Sequence, residues 1–114
     1  MKLSYEGIGQ WAATFACSEI SEGEVVKISA NDTVAACSAD DAFCGMVLSV
    51  SRIGDACTVA LGGMVTAGYS GSDPTLGWCI LCGDGSGGVK TAESGQSYLV
   101  VDVDSTSKTV TFVL

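Results

Sequence analysis

Short runs of β-branched and other apolar residues recur along the chain, and each is bounded by glycine, asparagine, aspartate or serine. Apolar and polar residues often alternate within a run, which is the period of a β-strand, and no stretch of ten residues has the apolar stripe of a helix. Many short antiparallel strands without crossover helices indicate an all-β fold, either a small antiparallel barrel or a barrel-like sandwich. The pattern predicts eight to ten strands, near Ala12–Cys17, Glu24–Ser29, Thr33–Cys37, Cys44–Arg52, Cys57–Leu61, Met64–Tyr69, Cys79–Cys82, Gly88–Thr91, Tyr98–Val103 and Thr109–Leu114.

The segments between these runs have the chemistry of turns. Asn31-Asp32 and Gly54-Asp55 each separate two apolar runs, and these residue types accept the left-handed backbone that a tight hairpin needs. The polar residues 104–108 predict another hairpin loop. We expect a longer irregular loop over Ser70–Leu76, around the single proline, and a short helical turn within Ala35–Ala42, where serine and aspartate would provide caps.

The length and charge of the chain limit its organisation and its partners. With 114 residues it fits one domain, and we expect residues 1–17 to form an N-terminal arm or first strand and residues 18–114 a single β-barrel domain. The net charge of −8 excludes nucleic acid and anionic membranes as expected partners, because both bind clustered lysine and arginine. No apolar run reaches the length of a signal peptide or a membrane span, so we expect a reducing compartment in which the six cysteines are free thiols.

Two motifs with known chemical associations lie between Gly77 and Thr91. Cys79 and Cys82 have the spacing of a thioredoxin-type redox site, and the glycine-rich stretch before Lys90 is similar to a phosphate-binding loop. A redox Cys-x-x-Cys needs a helix N-terminus to stabilise its thiolate, whereas glycine and aspartate follow Cys82. On a strand the two thiols point to opposite faces about 10 Å apart, beyond disulfide range. The lysine is also one position too late for a phosphate loop, so we interpret the stretch as a strand followed by a glycine hairpin.

The residue types give little support to a metal or catalytic site. The chain has no histidine, and its other cysteines form no second knuckle for a structural zinc ion. Asp84 with Asp102 or Asp104 would bind a cation weakly at most, because the spacing is not that of an EF-hand. We therefore expect no cofactor, no metal and no enzymatic activity, with a thiol redox or metal protein built on Cys79 and Cys82 as an alternative.

Six segments with characteristic glycine and valine positions occur in a fixed order: Gly23–Val26, Gly45–Val47, Val59–Val65, Gly77–Leu81, Asp84–Val89 and Val110–Leu114. This ordered set resembles a family of small bacteriophage and prophage proteins, the capsid cement or head decoration proteins. The resemblance covers roughly residues 7 to 114. It implies a structural protein that binds the outside of an assembled capsid shell and strengthens it against internal DNA pressure.

The resemblance also implies partners and a location. The partners are the phage major capsid protein and further copies of the chain, with a trimer favoured, and many modest contacts would gain strength through multivalency. The location is the virion surface or the cytoplasm of a bacterial host.

Five apolar residues are candidates for the interface: Tyr5, Ile8, Trp11, Phe15 and Trp78. The first four belong either to an arm that adds a strand to a neighbouring molecule or to an ordinary first strand with its aromatic side chains in the core. Trp78 is either a core anchor or an interface contact. The alternative function is a small-molecule or peptide-binding β-barrel module, which needs a hollow or a groove.

Overall fold

The computed structural model describes residues 10–114, which form ten β-strands and no helix. Each strand coincides with one of the predicted runs, so the predicted all-β fold is confirmed. The strands are β1 (Trp11–Ala16), β2 (Val25–Ala30), β3 (Thr33–Ala36), β4 (Gly45–Val50), β5 (Ala56–Gly62), β6 (Met64–Gly68), β7 (Gly77–Gly83), β8 (Val89–Thr91), β9 (Ser97–Asp104) and β10 (Thr109–Val113).

The first five strands form a closed barrel in the order β1-β3-β2-β4-β5. β1 runs antiparallel to β5 along its whole length, from Trp11 opposite Gly62 to Ala16 opposite Ala56. The barrel closes where Ala16 forms a parallel pair with Thr33. The other pairings in the barrel are antiparallel, and short turns join β2 to β3 and β4 to β5.

The last five strands form an antiparallel sheet in the order β6-β10-β9-β7-β8. Tyr69, which follows β6, forms an isolated parallel bridge with Val89 of β8. The amide of Ser70 also donates to the carbonyl of Val89 at 3.0 Å. These contacts bring the two edge strands together and limit the unpaired edge that the sheet presents.

Three barrel strands, β2, β4 and β5, are each buried on both faces over part of their length. Successive side chains of a strand point to opposite faces, so two adjacent buried residues indicate packing on both sides. Val26, Val47 and Val59 belong to a cluster inside the barrel. Their neighbours Val25, Met46 and Ala60 belong to a larger cluster between the barrel and the sheet.

Three aromatic rings lie in this larger cluster. The rings of Phe43 and Tyr98 are stacked with centroids 4.9 Å apart, and Phe112 meets both edge-on, at 5.9 and 5.4 Å. Such pairs add about 0.5–1.5 kcal/mol each to the burial of the rings. The inner face of the sheet is therefore fixed against the barrel, and its outer face is presented on a rigid support.

The predicted hairpin turns form, but the predicted helical turn does not. Asp32 and Gly54 adopt positive φ angles of 56° and 77° in their hairpins. Within Ala35–Ala42, β3 ends at Ala36 and a tight turn follows, in which the carboxylate of Asp41 accepts the Ser38 amide at 2.9 Å. Aspartate at this position closes a turn on itself instead of capping a helix.

Candidate interaction surface

A line of apolar side chains crosses the outer face of the five-stranded sheet. Trp78 in β7 lies opposite Leu99 in β9, Leu99 opposite Val113 in β10, and Val113 opposite Met64 in β6. Directly opposed residues on adjacent strands have their side chains on the same face. We call these four residues the apolar row.

The next line of residues shows that the apolar row points away from the core. Val100, Phe112 and Val65 oppose one another on the same strands and are almost completely buried. Exposure increases along the apolar row, from 9% at Met64 to 73% at Trp78. A tryptophan side chain can bury 150–250 Å² in a contact, so most of this surface is free to bind a partner.

A shallow depression of about 240 Å³ adjoins the apolar row. Trp78, Leu99 and Val113 line it together with Gln96 and Leu114. None of these residues is charged, although the whole chain has a net charge of −8. The surface around Trp78 therefore suits an apolar or neutral partner.

A second depression of about 360 Å³ shares Gln96 and Leu114 with the first and extends to Phe43 and Leu61. Inside the barrel, Val34 and its neighbours form a cluster of buried apolar side chains.

The structure describes three of the five candidate interface residues. Trp78 lies outside the core, and so does Trp11, whose side chain is 63% exposed and whose indole covers Gly62. Phe15 is half-buried and packs against the cluster inside the barrel. Tyr5 and Ile8 lie outside the described residues.

Sequence reasoning missed the other members of the apolar row. Leu99, Val113 and Met64 each belong to a run that alternates like any other strand, so nothing in the local pattern distinguishes them. Only the register of four strands brings them into line with Trp78. Trp78 is the only member of the row that the sequence analysis named as a candidate.

The Cys-x-x-Cys segment forms strand β7, as predicted. Both Cys79 and Cys82 are free thiols. Cys79 packs against the larger core cluster, whereas Cys82 lies on the opposite face. Burial raises the pKa of Cys82 above its ordinary value of 9.0, which opposes formation of the thiolate that redox chemistry needs.

The glycine-rich segment after β7 forms the predicted hairpin to β8. One oxygen of Asp84 accepts the amides of Ser86 and Gly88 at 2.7 and 3.1 Å, and the other accepts the Ser70 hydroxyl at 3.0 Å. Gly85 and Gly87 have φ angles of 86° and 93°, which favour glycine. The carboxylate of Asp84 therefore organises the turn.

Within residues 10–114 no group of three or more cysteine, aspartate or glutamate side chains is placed to hold a metal ion. The same residues include no helix that is long and apolar enough to cross a membrane. No protein-family model matches the sequence, and a search of curated proteins gave no match either.

Proposed function

We propose that the protein is a non-enzymatic structural protein that binds the outer surface of a phage or prophage capsid as a homo-oligomer and stabilises the shell. The observation that carries this proposal is the apolar row, with Trp78 73% exposed on a rigid sheet face. Exposed apolar patches of this kind are typical of protein interfaces. Tryptophan is also among the residues most often found at the energetic centre of an interface.

The charge of the surface indicates what kind of partner it suits. The apolar row and the adjoining depression have no charged side chain among the described residues that form them. A flat and neutral sheet face fits the surface of a folded protein better than it fits a polyanion. Repeated binding to identical capsid subunits would multiply a contact that is modest in each copy.

The arrangement of the fold supports the same proposal. Segments that resemble head decoration proteins contribute to strands of both layers, including Gly45–Val47 to β4, Gly77–Leu81 to β7 and Val110–Leu114 to β10. Two of these three strands contribute to the apolar row. A preformed surface on packed strands loses little conformational entropy when it binds.

The direct test is co-sedimentation with empty capsid shells assembled from the major capsid protein of the phage or prophage that encodes this chain. We compare the wild type with Trp78→Ser and with Ile53→Ser as a matched control. Ile53 is 83% exposed but lies in the turn between β4 and β5 and is not a member of the apolar row. The wild type and the control should saturate the shell, whereas Trp78→Ser should bind at least about tenfold more weakly.

Two results would contradict the proposal. Absence of any sedimentation of the folded wild-type protein with these shells would rule out capsid binding. Equal binding by Trp78→Ser and Ile53→Ser would show that the apolar row is not the contact surface. Sedimentation equilibrium of the free protein measures its oligomeric state in the same preparations.

A further inference from the structure

We infer that Cys17 and Cys57 are a redox pair, which a hydroperoxide converts into a disulfide that locks the barrel closed. The pair lies inside the barrel and not on the outer face of the sheet, so the inference goes beyond the proposed function and does not depend on it. The pair is also separate from the Cys-x-x-Cys segment, whose two thiols lie on opposite faces of β7.

The pairing of β1 with β5 brings the two cysteines together. Phe15 lies opposite Cys57. The amide of Cys17 donates to the carbonyl of Asp55 at 3.1 Å, so the pairing continues one residue past the end of β1. Cys17 and Cys57 are therefore diagonal neighbours on the same face of the two chains. Both side chains are buried in the cluster inside the barrel.

The two thiols are in contact with each other. Burial and, after it, the hydrogen bond with the Cys17 side chain raise the pKa of Cys57 to about 11. The Cys17 thiol itself donates to the carbonyl of Gly54 at 3.8 Å. Diagonal neighbours are usually about 7–8 Å apart, and a disulfide tolerates a Cα separation of about 7 Å. Because Cys17 follows the last residue of β1, a shift of about 1 Å at this position is enough for the bond to form.

A disulfide here would act on the closure of the barrel. The chain between the two cysteines contains β2, β3 and β4, and β1 and β5 flank it. Ala16, the residue before Cys17, forms the parallel pair with Thr33 that closes the barrel. A covalent bond beside this pair would hold β1 against β5 when the hydrogen bonds around it open. It would also close a loop of about 40 residues, which removes much of the entropy of the unfolded chain.

Hydrogen peroxide is an oxidant small enough to reach the pair. Cys17 is 8% exposed and Cys57 2%, so the peroxide reacts first at Cys17. The Cys17 sulfur attacks one peroxide oxygen, the O–O bond breaks, and the products are a sulfenic acid and one water. The Cys57 sulfur then attacks the Cys17 sulfur, and the sulfenic hydroxyl leaves with the Cys57 proton as a second water. The two thiols thus lose two electrons and two protons, and one peroxide is reduced to two waters.

The test is mild oxidation of the folded, reduced wild-type protein with hydrogen peroxide. The remaining thiols are then blocked, and mass spectrometry of peptides under non-reducing conditions identifies the linked cysteines. We expect the number of free thiols to fall from six to four, with Cys17 and Cys57 in the linked peptides. The oxidised protein should melt roughly 10–15 °C higher than the reduced protein, and dithiothreitol should reverse the shift.

Two variants provide matched controls. Cys57→Ala should show no bond and no change in melting temperature after oxidation, whereas Cys79→Ala should behave as the wild type does. The comparison of oxidised with reduced wild type needs no substitution, so it decides the question even where a variant fails to fold.

Four results would overturn the inference. The first is retention of all six thiols by the folded protein. The second is a bond between other cysteines, such as Cys44 and Cys57, and the third is further oxidation of Cys17 to a sulfinic acid without a bond. The fourth is a bond between Cys17 and Cys57 that leaves the melting temperature unchanged, which would show that it does not lock the barrel.

Discussion

Gly45, the first residue of β4, lies close to the backbone of the neighbouring strand β5. A Cβ atom at this position would overlap the carbonyl oxygen of Ala60 and lie 2.8 Å from a methyl carbon of Val59. The φ angle of Gly45 is not positive, so alanine fits its backbone conformation. The substitution Gly45→Ala therefore isolates the steric cost of one methyl group against a backbone atom.

The structure sets the size of this cost. The carbonyl of Ala60 cannot rotate away because it belongs to a strand buried on both faces, so β4 must move. Overpacking of this kind costs typically about 1–3 kcal/mol. The movement would also weaken the bond from the Cys44 amide to the Val26 carbonyl, now 2.8 Å, at about 1 kcal/mol. Alanine recovers only about 0.5–1 kcal/mol relative to glycine, so we expect a net loss of about 2 kcal/mol.

The assay is urea denaturation followed by circular dichroism, with Gly68→Ala as the control. Gly68 also lies in a strand, but its nearest contact to an added Cβ is the Lys108 carbonyl oxygen at 3.9 Å, so we expect a change within about 0.5 kcal/mol. The loss in Gly45→Ala corresponds to a melting temperature about 8 °C lower. Equal midpoints for the two variants would refute the reasoning.

Three further predictions concern the core and the titrating groups. Phe112→Ala removes a fully buried ring and should cost about 3–5 kcal/mol of unfolding free energy; a thermal melt showing a loss below about 1 kcal/mol would contradict the packing. The hydrogen bond from Tyr69 to Asp73, 2.6 Å long, raises the pKa of Tyr69 to about 12, so absorbance at 295 nm should show a late transition that Asp73→Ala shifts to lower pH. Burial raises the pKa of Cys37 and that of Cys57 to about 11, from an ordinary value of 9.0. The unfolded thiols ionise first, so urea midpoints should fall as the pH rises from 9 to 11, and a flat profile would show that these thiols are not buried.

The strands were predictable because the signal for each is local. Alternation, β-branched residues and turn residues such as Asn31-Asp32 occur within a few positions of each strand. The prediction of a helical turn within Ala35–Ala42 was wrong because serine and aspartate, which cap helices, also close tight turns. The contact that stabilises the tight turn comes from a residue that is distant in sequence. Lys27, in β2, holds Asp41 at 2.6 Å.

The division into a barrel and a sheet was not predictable in the same way. Nothing local indicates that β1 pairs with β5, or that the chain changes layer at Gly63 between β5 and β6. The same limit applies to the apolar row. Its members are separated by up to 49 positions, from Met64 to Val113, and a register shift between Thr111 and Phe112 helps to set their alignment.

The tight turn that forms in place of the predicted helical turn also limits the exposed surface around Trp78. Trp78, Ile80 and Cys82 alternate along β7 and share its outer face, but their burial increases in that order. The turn covers the end of β7 that contains Cys82. There the amide of Asp40 donates to the carbonyl of Gly83 at 3.0 Å, and the carboxylate of Asp40 pairs with Lys90 at 2.6 Å. One end of the strand is thus closed by polar contacts and the other presents an indole. The increase in burial from Trp78 to Cys82 limits the exposed apolar patch to the part of the outer face around Trp78. A patch of limited size suits a specific contact, whereas a uniformly exposed apolar sheet would favour non-specific association.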